Sequence, residues 1–220
     1  MMFRSHLIRG LSHPDIYSYQ LKKAEEAEGV WKRAVLLILA SGLIFGLSAY
    51  FGIGSEYLSR KLTELSGSEF EMHKVLYVIG QLLWGLFYGA AIIFLPALFF
   101  WTLSDLELKK LIVVQLLVLL ILLAEKLIMI PVNLALGLPD ESSPFSLGVL
   151  AQTFTSNGFI VSFLASITIF KAWAIWIQIK YLKDLTEKSM KVVVAMVVGL
   201  NVALWLLGAL FSIIQFEKII

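Results

Sequence analysis

The 220-residue chain is 59% hydrophobic and only 15% charged, with a mean hydropathy of +0.86, which excludes an ordinary soluble domain. A formal charge of +2 is too small to direct it to nucleic acid, and the lack of cysteine excludes disulfides, thiol catalysis and cysteine-held metals. What is left is an all-α polytopic membrane protein. Five spans of about 20 residues take up roughly half of the chain and leave little for a separate soluble domain.

Residues 1–33 read as a cytoplasmic N-terminal segment. The first eleven mix Arg4 and Arg9 with Phe3, Leu7, Ile8 and Leu11, as a stretch resting on a membrane surface does. No long apolar run follows at once and no small-residue cleavage pattern appears, so no signal peptide is expected. Ser12 and Asp15, three residues apart with Pro14 between them, form the pattern of a capping box and predict a helix start. Ile16, Tyr19, Ala27, Val30, Trp31 and Ala34 then recur at helical spacing against Lys22, Lys23, Glu25, Glu26 and Glu28, which predicts an interfacial amphipathic helix. His13-Pro14-Asp15 is also the loop tripeptide of J-domain co-chaperones, but neither the basic helix nor the soluble hairpin of that module surrounds it.

Residues 34–220 read as one membrane domain with spans at about 34–53, 75–101, 111–134, 158–179 and 192–214. Tyr57, Leu58, Leu62 and Leu65 suggest a short amphipathic helix after the first span, and Ser68 with Glu71 a second capping box. Tyr77, Trp84, Tyr88 and Trp101 supply aromatics to the second span, and Pro96 predicts a kink in it. Phe145, Leu147, Val149 and Leu150 in the loop after the third span are suited to rest on the membrane.

The third span carries two charges, Glu125 and Lys126. On insertion scales these cost roughly 5 to 7 kcal/mol, while each of the Leu, Ile and Val residues that fill 111–130 returns about 0.3 to 0.6, so insertion is near break-even without any partner. The two charges are neighbours about 100° apart around the helix and so cannot pair across one face. Lys171 on the antiparallel fourth span lies at a depth that differs from that of Glu125 by roughly 7 Å, within a lysine's reach. Two readings stand: a structural pair or snorkelling lysines, or a polar path joined by Asn133 and Asn201.

Orientation follows from the basic residues. Arg4, Arg9, Lys22, Lys23, Lys32 and Arg33 lie on one side with Lys109, Lys110, Lys180, Lys183, Lys188 and Lys191, against Arg60, Lys61, Lys74 and Lys218 on the other. That asymmetry predicts an N-terminus inside and a C-terminus outside the cell membrane. Gly42 with Gly46, and Gly85 with Gly89, are GxxxG pairs suited to close helix packing, and Ala195, Gly199 and Ala203 extend the pattern to the fifth span. Packing within the bundle and a homodimer face both fit these small residues.

No HExxH, GxSxG, Walker loop or Gly-rich dinucleotide fingerprint is present, and no enzyme or cofactor is expected. The Leu11-Ser12-His13-Pro14 element, the lead-in ending in Trp31-Lys32-Arg33 and five closely spaced spans resemble the Yip1 family of small membrane proteins across nearly the whole chain. The DLYGP-type motif of eukaryotic members is absent, which points to a prokaryotic type. The resemblance implies a non-enzymatic protein that works through other membrane proteins as an accessory or scaffold for transport machinery such as an ABC-type exporter. The alternative is a small transporter or channel with Glu125, Lys126 and Lys171 on its path.

Overall fold

The structure, a computed structural model, describes residues 2–4, 7–54, 67–137 and 143–213. Its elements in chain order are strand β1 (Met2–Arg4), helices α1 (Leu7–Ser12) and α2 (Pro14–Lys23), strand β2 (Glu26–Glu28), and helices α3 (Val30–Tyr50), α4 (Gly67–Leu103), α5 (Leu108–Leu136), α6 (Gly148–Phe154), α7 (Gly158–Ala165), α8 (Ile169–Leu185) and α9 (Met190–Ile213). The fold is all-helical apart from β1 and β2, which pair in parallel with Phe3 opposite Ala27. Among the described residues, α3, α4, α5 and α9 are each long and apolar enough to cross a membrane.

Helix α5 is the central pillar. Leu111 to Leu119 are buried on every side, as expected of a helix that is apolar all round. Against it pack α3, α4, α8 and the short α1. Gly10 allows the α1 contact, because a Cβ there would lie 2.9 Å from Leu117 and 3.1 Å from Tyr17.

Helices α3 and α4 cross in antiparallel fashion through their paired glycines. A Cβ on Gly85 would meet Ser41 O at 2.8 Å and Gly42 Cα at 2.9 Å, so the two backbones lie in close approach there. At the same crossing the buried Ser41 hydroxyl donates to Gly85 O at 2.7 Å. Ala195, Gly199 and Ala203 behave differently: all three are exposed, and nothing lies within 4 Å of where a Gly199 Cβ would stand. Only 17% of the most apolar stretch of α9 is buried, against 67% for α5.

The N-terminal segment departs from the sequence expectation. One amphipathic helix through Ala34 is expected, but α2 stops at Lys23, Ala27 sits in β2, and Val30, Trp31 and Ala34 belong to α3. Glu25, Glu26 and Glu28 would place negative charge at the negative end of a continued α2, and Gly29 at φ 69° turns the chain. The Ser12–Asp15 capping box does not form. Ser12 ends α1 with its hydroxyl donating to Ile8 O, and His13 caps α2 without a side-chain bond. Pro14 does take its expected place in the first turn. Ser68 likewise lies inside the first turn of α4 rather than ahead of it. Tyr57, Leu58, Leu62 and Leu65 lie outside the described residues.

The stretch 158–179, expected as one span, is two helices. Helix α7 ends at Ala165 and α8 begins at Ile169, with lengths of 8 and 17 residues, or about 12 and 26 Å. At the break the Leu147 N–H donates to Ile167 O (3.1 Å) and the Ile169 N–H to Phe145 O (3.2 Å), so the backbone from Phe145 to Leu147 supplies the partners a continuous helix would have provided. Thr168 then caps α8, accepting from the Lys171 N–H.

Candidate functional site: a charged cavity between α5 and α8

Glu125, Lys126 and Lys171 line one cavity of about 210 Å³. Its wall is completed by Phe45 from α3, Tyr88 from α4, Ser143, and Thr168 at the break before α8. Glu125 faces the break, where its carboxylate is hydrogen-bonded to the Thr168 side chain and attracted by Lys171. Lys126, one residue on, turns toward α3 and sets its ammonium 5.2 Å from the centre of the Phe45 ring. The divergence is the roughly 100° step between neighbours on a helix. Phe45 in turn packs on Tyr88 with ring centres 5.2 Å apart.

Lys126 and Phe45 also border a second cavity of about 280 Å³, lined further by Ser48, Tyr77 and Gln81. Tyr77 closes its far side by donating to Gly54 O at 2.7 Å. Lys126 therefore stands between two polar spaces, one against α8 and one between α3 and α4.

Asn133 and Asn201 do not join this cluster. Asn133 is buried two turns beyond Lys126 on α5. Asn201 belongs to a separate chain of amides: its Nδ2 donates to Gln178 Oε1 (2.9 Å), and Gln178 Nε2 donates to Gln115 Oε1 (2.9 Å). That chain ties α9, α8 and α5 together in the dry interior. Gln178 stands seven residues after Lys171 on the same helix face, and that spacing is its one signal in the sequence. Thr168 and Ser143 carry no signal in the sequence and Tyr88 reads there only as a span aromatic; the fold brings all three to the cavity of Glu125.

At the opposite end of α8, Tyr181 is fully buried, donates to Gly10 O (2.9 Å) and meets Tyr17 edge-on. Ser18 donates to Asp184 at 2.6 Å, and Lys180 bridges Asp15 and Asp184. Hydrogen bonding to Asp15 raises Lys180 above the usual lysine value, against the opposing effect of partial burial. Along its length α8 thus carries three polar stations: charges at its start, an amide in its middle, and the lock on α1 and α2 at its end.

No protein-family model, curated protein or solved structure matches the chain.

Proposed function

We propose that this is a small multi-pass membrane transporter or channel whose cavity between α5 and α8 receives a small polar solute or ion. The observation that carries this reading is the break at 166–168, which supplies Thr168 and the start of α8 to the same space as Glu125, Lys126 and Lys171. Discontinuous helices and intramembrane ionisable side chains are what solute and ion sites within membranes are built from. The cavity has the volume of about seven waters, enough for a partly hydrated ion or a small zwitterion. In this reading α7 and α8 together make a broken fourth crossing, which restores five spans with the N-terminus inside and the C-terminus outside the cell membrane. The solute enters from the outer side, and the apolar layer around Leu119, Leu122 and Ala174 separates it from the inner side.

Full-length protein in liposomes tests this with proton, halide and amino-acid fluxes. Glu125→Gln keeps the shape and removes the charge, and is expected to lower the transported flux at least tenfold with an unchanged melting point. Flux that survives the substitution intact overturns the reading.

A second reading rests on α9, whose Ala195, Gly199 and Ala203 face outward. It is that of an accessory to transport machinery such as an ABC-type exporter, in keeping with the Yip1-like arrangement, or of a homodimer. Crosslinking in native membranes from a photoreactive group at Gly199 is expected to capture a protein partner under this reading, and only lipid adducts under the first.

A further inference from the structure

Where α2 lies across the end of α8, a groove of about 700 Å³ is lined by Lys22, Lys23, Lys180 and Lys183, with Tyr19 and Thr186 in its wall and Asp15, Asp184 and Glu187 as its acids. The charges in it are not equivalent. Lys180 is held between Asp15 and Asp184, and the three together keep one negative charge. Four lysines thus stand against three acids in the lining, a local excess of one positive charge, and Lys22, Lys23 and Lys183 are the ammoniums outside that trio. Lys183 spends one donor on Lys188 O (3.0 Å), and Lys23 lies 4.4 Å from the centre of the Tyr19 ring, which holds both near the groove.

A second observation sets the level of this groove. The outward face of α8 runs Ile169, Trp173, Trp176, Lys180, Lys183: three exposed apolar side chains followed, at spacings of three and four, by two lysines of the groove. A helix face that passes from apolar through tryptophan to lysine is the pattern of a segment leaving the hydrocarbon for the headgroup layer. On α1 and α2 beside it, Ile8, Ile16 and Tyr19 are also exposed, and apolar side chains at that level have acyl chains as their natural neighbours.

We infer that this groove binds the phosphate headgroup of an anionic phospholipid, with the lysine ammoniums on the phosphate and the acyl chains along Trp173 and Trp176. Basic recesses between helices at the cytoplasmic face bind such headgroups through the same chemistry. The inference is independent of whether the charged cavity transports anything, since it uses none of that cavity's residues.

The test is native mass spectrometry and thermal unfolding of the full chain with added phosphatidylglycerol, phosphatidylcholine or inorganic phosphate. The wild type is expected to prefer phosphatidylglycerol over phosphatidylcholine at least tenfold, with each of Lys22→Gln, Lys23→Gln and Lys183→Gln cutting that preference about fivefold. Lys32→Gln with Lys109→Gln, two exposed lysines outside the groove, controls for diffuse attraction. Unchanged melting in phosphatidylcholine shows that each variant is folded. No preference in the wild type, an equal loss in the control pair, or displacement of the lipid by millimolar inorganic phosphate each overturns the inference.

Discussion

Gln178 joins two neighbouring helices in the interior, because it accepts from Asn201 and donates to the fully buried Gln115. Replacing it alone takes the donor from the buried Gln115 Oε1, while the Asn201 amide keeps its bond to Val197 O; replacing Gln115 as well removes the stranded amide. Gln178→Leu is therefore expected to cost about 1–3 kcal/mol, and Gln115→Leu added to it to recover part of that loss. A double-mutant cycle on thermal or denaturant unfolding measures the coupling, and strict additivity would show that the two amides act separately. At this scale the sequence was partly legible. Glu125 and Lys171 stand out as ionisable groups in apolar runs, and their depths allow them to meet without requiring it. Asn133 and Asn201 stand out by the same rule, yet they lie elsewhere, because a polar residue in a span announces a partner without saying which one.

Among the elements, the α3–α4 crossing offers a graded comparison. The space at Gly46 accepts a methyl group at ordinary contact distance, 3.6 Å from Leu82, while that at Gly85 is closed by backbone atoms of Ser41 and Gly42. Gly46→Ala and the open Gly199→Ala are expected to leave the melting point nearly unchanged, and Gly85→Ala to destabilise by about 1–3 kcal/mol, read by thermal unfolding in detergent. Apolar length made α3, α4, α5 and α9 legible, since each needs only a run of the right extent. The break in 158–179 was not, because that stretch is as apolar as a span. Its local hints are weak: the β-branched Ile167, Thr168 and Ile169 follow Ser166, whose hydroxyl donates back to Ser162 O. What decides it is the backbone of Phe145 to Leu147, more than ten residues earlier. The early end of α2 has the same origin, in a pairing with β1 that the helical spacing of Ala27 and Val30 conceals.

For the whole molecule, the distribution of lysine and arginine predicts which end meets the cytoplasm, and the natural lack of cysteine makes the test free of background. Single cysteines at Glu107 and at Phe154, both exposed, lie on opposite ends of the bundle. An impermeant maleimide added to intact cells is expected to label Phe154→Cys and to spare Glu107→Cys until the membrane is opened; the reverse pattern inverts the topology. The lock between the N-terminal helices and α8 joins residues 166 and 171 positions apart, Ser18 to Asp184 and Gly10 to Tyr181. At about 5–20 residues per second, synthesis takes roughly 8 to 35 seconds to cover that distance. For that time α1 and α2 exist with no α8 to lie on, while Tyr17 and Leu21, which the finished protein buries, need cover from some other apolar surface. Helices α1 and α2 thus complete their seat only after α8 is made, and any factor that guards the chain at the ribosome would meet them during that wait.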